Sequence, residues 1–193
     1  MTEPDRPHHH GNLRQALIDA GLALLSEGGR AALTLRQTAA RAGVSHAAPA
    51  HHFDGLPGLL TAIASEAFAR FTTAMTAARD ASGTDPFARL DGICAGYLTF
   101  AKTHAGLFDL MFNAPDVNRA DPLLQANGQS AYGVLRGACQ PFATPTRPAS
   151  DVETAVWSLV HGFALLRFTS QGQTTRPYSG IPDFTQLLRN LVR

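Results

Sequence analysis

Residues 34–53, TLRQTAARAGVSHAAPAHHF, constrain this chain more than any other stretch. Leu35, Thr38, Ala39 and Ala42 recur at the spacing of one packed helical face. Thr34 and Gln37 have capping-box spacing, so Thr34 spends its hydroxyl on the first turn of its own helix. Gly43 then permits a turn, Val44 plugs the space between two helices, and Ser45 can cap a second helix carrying His46, Ala47, Ala48, His51 and His52. Two short helices joined by such a turn form a helix-turn-helix, whose second helix lies in the major groove of duplex DNA. Pro49 falls about four residues past the cap, near the last position where a missing N–H is harmless, so this second helix is predicted to be short and stiff.

The flanking sequence is helical throughout. Residues 12–27 place Leu13, Leu17, Leu24 and Leu25 on one face, with Asn12 as N-cap and Gly28-Gly29 as the stop. A long helix is predicted from Pro57 to about Arg79, followed by helices over 86–102 (capped by Asp85), 104–112, 122–142, 150–170 (with capping-box spacing between Ser150 and Glu153) and 183–192. The predicted fold is therefore all-α with about nine helices. An N-terminal arm and three-helix DNA-binding bundle occupy residues 1–56, and a C-terminal ligand-binding and dimerisation bundle occupies residues 57–193.

Charge argues against a binder that works by bulk electrostatics. The chain has 16 basic and 15 acidic residues for a net charge of +1. Within residues 1–56, Arg6, Arg14, Arg30, Arg36 and Arg41 are balanced by Glu3, Asp5, Asp19, Glu27 and Asp54, so contacts must depend on placement. Cys94 and Cys139 sit in apolar helical patterns and read as buried free thiols of a reducing compartment, with a disulfide as the other arrangement. No apolar run resembles a signal peptide or reaches membrane-spanning length, which predicts a cytoplasmic protein with no membrane partner. The triplet His8–His10 lies in a polar arm and cannot converge on one ion, so no metal site is predicted. The chain also lacks a glycine-rich phosphate loop and a nucleophile elbow, so no catalytic residue, no cofactor and no enzymatic activity are predicted.

Two groups of residues are candidates for binding. For a double-stranded DNA operator they are Arg14, Thr34, Arg36, Gln37, Arg41, Ser45, His46, Ala47, Ala48 and His51. The arginines and His51 suit phosphates; His46 can donate to guanine, and the alanine methyls can meet the thymine methyl. His46 reads equally well as merely exposed, and His52 with Phe53 as packing toward the core. For a small-molecule effector the candidates are Tyr97, Phe100, His104, Phe108, Met111, Phe112, Tyr132, Trp157 and His161, an aromatic set with two polar members. The same set also fits a filled helical core.

Residues 12–60 resemble the N-terminal domain of the TetR family of bacterial transcription regulators, through the first helix, LTLRQTAARAGVS and the closing HHF. The second half is similar to a subgroup with a tryptophan–valine–histidine–glycine signature, here Trp157, Val160, His161 and Gly162. Tyr97, Phe100, His104, Met111 and Phe112 are similar to the same subgroup. The resemblance implies a ligand-responsive regulator, by default a repressor released from a palindromic operator by a hydrophobic or aromatic effector. It also implies a homodimer through the last two helices, with Val156, Val160, Phe163, Leu187 and Leu191 in or near the interface. The family's phosphate-contacting tyrosine and lysine are replaced here by Ala50 and Leu56, which lightens the grip on DNA. The alternative implied by those replacements is a protein of the same fold with weak or lost DNA binding.

Overall fold

The computed structural model describes residues 10–168 and 182–193, with side chains from Leu13 onward. The arm before His10 and nearly all of the loop predicted over Gln171–Pro182 lie outside the described residues. Eight α-helices are present among them: α1 (His10–Gly28), α2 (Leu35–Arg41), α3 (Gly55–Ala81), α4 (Pro86–Thr103), α5 (Ala105–Asn113), α6 (Pro122–Cys139), α7 (Ala149–Arg167) and α8 (Phe184–Val192). Arg30–Ala32, Ala48–His51 and Gln140–Phe142 form 3-10 turns. The order is the predicted one, except that the second helix of the helix-turn-helix is the 3-10 turn Ala48–His51.

Helix ends follow side-chain chemistry where a short acceptor is available. The Ala88 amide donates to Asp85 at 2.8 Å and the Leu124 amide to Asp121 at 2.9 Å, each ahead of a proline in the first turn. Three predicted caps do not form, that of Ser45 in the helix-turn-helix among them. Asn12 lies inside α1, which starts at His10. Ser150 lies inside α7, which starts at Ala149, and Glu153 faces inward to accept from Tyr132 and Gln140.

The core runs without interruption from Leu17 in α1 to Val192 in α8, and α3 is its axis. Leu59, Leu60, Ile63, Ala64 and Ala67 are fully buried along α3. Glycines set how closely α4 lies against α3. A Cβ on Gly92 would stand 2.8 Å from the Ala78 carbonyl, and one on Gly96 2.9 Å from the Ala74 carbonyl, so only glycine permits this approach. The contact brings Phe71 of α3 against Tyr97 and Phe100 of α4, at ring separations of 4.7 and 5.1 Å. At the other end, Phe163 of α7 meets Phe184 of α8 edge-on at 5.1 Å, while Arg147 donates to the Leu191 and Val192 carbonyls and caps the C-terminus of α8.

Candidate functional site

The DNA-reading head is built from main-chain devices. The Gln37 amide donates to the Thr34 hydroxyl at 3.1 Å, and that hydroxyl donates to the Gln37 side-chain carbonyl at 2.9 Å. At the far end of α2 the Gly43 amide bonds the Ala40 carbonyl and the Val44 amide bonds the Ala39 carbonyl. This is a Schellman motif, and it requires the left-handed backbone of Gly43, φ +69°. Val44 is thereby turned back toward Ala39.

Pro49 decides the next element. In an α-helix starting after Ser45, the Ser45 carbonyl would accept from residue 49, which has no N–H. It accepts instead from Ala48 at 3.0 Å, and the Ala50 amide bonds Ala47. The bonds span three residues and a 3-10 turn results. Ser45 therefore serves through its carbonyl and makes no side-chain cap. Phe53 ends the stretch as a buried plug, with the Arg14 guanidinium over its ring at 5.3 Å and half-buried His52 beside it.

Of the ten residues predicted to meet DNA, nine are exposed and Ala48 is half-buried. They are not equally free. Arg41 forms a two-pronged ion pair with Glu27 at 2.5 and 2.6 Å, and that bond draws the Glu27 pKa below the usual carboxylate range. Thr34 is committed to its cap and Arg14 to Phe53. Arg36 forms no ion pair among the described residues, and Gln37, His46, Ala47 and His51 lie exposed with it.

A cavity of about 770 Å³ opens between α3, α4, α5, α6 and α7. Five of the nine predicted effector residues line it: Tyr97, Met111, Phe112, Tyr132 and Trp157. The other four do not. Phe108 and His161 stand behind the wall, their rings 5.6 Å apart, and the Tyr97 hydroxyl meets His161 Nδ1 at 2.6 Å. Burial raises the Tyr97 pKa and lowers that of His161, so both are neutral near pH 7. Phe100 is buried against Phe71 and His104 is exposed at the end of α4.

The walls missed in the sequence include Phe68, Phe71 and Met75 of α3, Gln129 and Arg136 of α6, and Arg119 of the preceding loop. Gln129, Tyr132 and Arg136 share one α6 face by their spacing, a pattern that points to Arg136 once Tyr132 is chosen. Arg119 sits in irregular chain and has no such signal.

The predicted interface set also divides. Val156 and Val160 are 0% exposed within the single chain, so their side chains cannot touch a partner. Phe163, Leu187 and Leu191 are half-buried. Gly162 has open space around it: a Cβ there would meet nothing within 4 Å among the described residues. The large apolar side chains that α7 leaves outside are Trp157, Leu165 and Leu166. Cys94 and Cys139 are buried and free, and burial pushes the Cys139 thiol up to about 12. No helix among the described residues is long and apolar enough to cross a membrane.

Known proteins share this arrangement. Residues 17–63 match the family "Bacterial regulatory proteins, tetR family" and residues 90–190 match "Tetracyclin repressor-like, C-terminal domain". The HTH-type transcriptional regulator BetI of Serratia proteamaculans is 34% identical over 138 residues, covering 67% of each chain. A protein of unknown function from Rhodococcus sp. RHA1 superposes with a TM-score of 0.75 at 27% identity, covering 97% of this chain and 95% of the other. A TetR family transcription regulator from Marinobacter aquaeolei superposes at 0.62 with 18% identity, over 95% of both chains, a likeness of fold. With its capped helix-turn-helix joined by α3 to a cavity-bearing helical bundle, the chain belongs to the TetR family, the ligand-responsive, DNA-binding regulators of bacterial transcription, and is not an enzyme.

Proposed function

We propose that the protein represses transcription from a palindromic operator and is released by a small apolar or aromatic effector bound in the cavity. Residues 1–56 read DNA, and residues 57–193 bind effector and dimerise. The course of α3 carries this reading. The helix begins two residues after Phe53 of the reading head, and Phe68, Phe71 and Met75 on the same helix line the cavity. At 1.5 Å per residue, Gly55 and Phe68 lie about 20 Å apart on one rod. A ligand that shifts the cavity end of α3 tilts the reading head, and two heads set for successive major grooves then no longer fit.

The dimer is assigned to α7 and α8. Ser158, Gly162, Leu165 and Leu166 form one stripe of α7 by spacing, and Leu187 and Leu191 extend it on α8. Buried Val156 and Val160 hold the stripe from beneath. The same reading includes the subgroup marked by Trp157, His161 and Gly162.

The test is fluorescence anisotropy of the full chain on labelled duplexes from upstream of its own gene and its neighbours. Specific binding that weakens with salt and an appropriate effector is expected. A second reading, the same fold with a lost DNA grip, is favoured by the 3-10 turn at Pro49 and by Ala50 and Leu56. Equal retention of all duplexes, or none at low salt, would establish it instead.

A further inference from the structure

We infer that the effector is an organic anion, with a carboxylate-class head on an apolar body. The inference rests on the effector-site reading above and adds the ligand's charge. Arg119 and Arg136 line the cavity, and no acidic side chain among the described residues does. Neither arginine forms an ion pair among the described residues, where Arg30, Arg41, Arg70, Arg79 and Arg89 all do. Arg119 donates to the Met111 and Ala114 carbonyls, which hold its guanidinium in place without neutralising it. Exposed Arg136 has its donors unspent among the described residues.

One carboxylate stands behind the wall, held by two neutral donors. Glu153 accepts from the Tyr132 hydroxyl at 3.0 Å and from the Gln140 amide at 3.2 Å. It is buried and does not line the cavity.

The arginines settle a choice that the aromatic walls leave open. Ring faces such as those of Phe112 and Trp157 attract cations as readily as they pack on apolar groups. A cation entering here would meet arginine and no acidic side chain on the described wall. An anion would gain charge-assisted hydrogen bonds instead. The place of the head follows from α6. Arg119 precedes that helix and Arg136 lies in its last turns, so a single head group engages one of them. The head belongs at Arg136, beside Gln129 and Tyr132 on the same helical face, and the apolar body lies along the α3 side chains.

Trp157 is the chain's single tryptophan and lines the cavity, so its fluorescence reports binding without DNA. The full-length protein is titrated with decanoate, decanol and decyltrimethylammonium below their micelle concentrations. Decanoate is expected to bind about tenfold more tightly than decanol, and the ammonium more weakly than either. Arg136→Gln, a surface change that leaves circular dichroism unaltered, is expected to bring decanoate to within about twofold of decanol, with decanol itself unchanged. Equal binding of decanoate and decanol, tightest binding of the ammonium, no response to any of the three, or an anion preference that survives Arg136→Gln overturns the inference. The repressor reading is tested separately: decanoate that binds at Trp157 without releasing operator supports the ligand class and counts against release. Operator release by a neutral or cationic compound, with decanoate inert, does the reverse.

Discussion

The reading head and the block of α3, α4 and α6 use similar small, alanine-rich sequence to opposite ends. In the head, order is local: the Thr34 cap, the Schellman motif at Gly43 and the turn at Pro49. Within residues 34–53 few side chains are buried: Thr38, Ala39, Pro49 and Phe53. In the block, order is long-range. Gly92 and Gly96 bring α4 onto the α3 main chain, and Phe71 is enclosed by Tyr97, Phe100 and Phe112. A helix cap is worth about 1 kcal/mol, whereas a large buried side chain is worth about 2–5 kcal/mol. Residues 34–53 are thus held by local bonds, while α1 beneath them shares the core of the block through Leu17, Ile18, Leu22 and Leu25.

Gly96→Leu tests the rigid side of this contrast and should have the largest effect. Its side chain would meet the Ala74 carbonyl and the Met75 backbone, so a loss of about 3 kcal/mol is expected in urea unfolding. A loss below about 1 kcal/mol would show that the close approach is not what orders the block. Pro49→Ala tests the soft side. It returns an N–H to residue 49, so amide exchange across residues 46–53 should slow toward that of an α-helix, with global stability changed by less than about 1 kcal/mol. Unchanged exchange there would mean that tertiary packing, and not proline, makes the 3-10 turn.

Arg36→Ala probes how the head meets DNA. Operator affinity should fall about threefold and the salt slope by about 1, because one phosphate contact is lost. Arg41→Ala should do less, since Glu27 already holds that guanidinium. An Arg41 effect exceeding that of Arg36 would mean the ion pair opens on DNA.

The smallest effect concerns His161, whose ring stands 4.8 Å from Phe112 and 5.6 Å from Phe108. Burial lowers its pKa below the ordinary 6.5. The unfolded chain therefore takes up this proton at higher pH than the folded one, and stability falls as pH drops below about 6.5. The melting temperature should fall from about pH 7.5 to about pH 5.5, and His161→Gln should lessen the fall. An identical pH profile in the variant would place the sensitivity elsewhere.

Much of the fold was legible because helix starts and stops are local chemistry. Thr34 and Asp85 had to cap, and Gly43 had to turn, from side-chain length and backbone freedom alone. The errors fell where two local signals competed. Ser45 followed by Pro49 reads as a capped helix, and only the tally of carbonyl partners shows that the Ser45 carbonyl takes Ala48 instead. Ser150 with Glu153 matches a capping box, but Glu153 is drawn inward by Tyr132 and Gln140, which are distant along the chain. The cavity was half legible: aromatic residues mark a core or a pocket equally well, and Phe100 and Phe108 went to the core while Phe112 and Trp157 went to the wall.

By itself the sequence determined the all-α order of elements and the helix-turn-helix, through periodicity, caps and glycine. Tertiary structure alone decided which face of α7 turns inward, because a helix apolar on most sides carries no preference until its neighbours choose Val156 and Val160. It also decided that Arg119 and Arg136, remote in sequence and unlike in local context, share one cavity. Packing of α3 against α6 sets the apolar wall opposite them, and no periodicity within a single element encodes it.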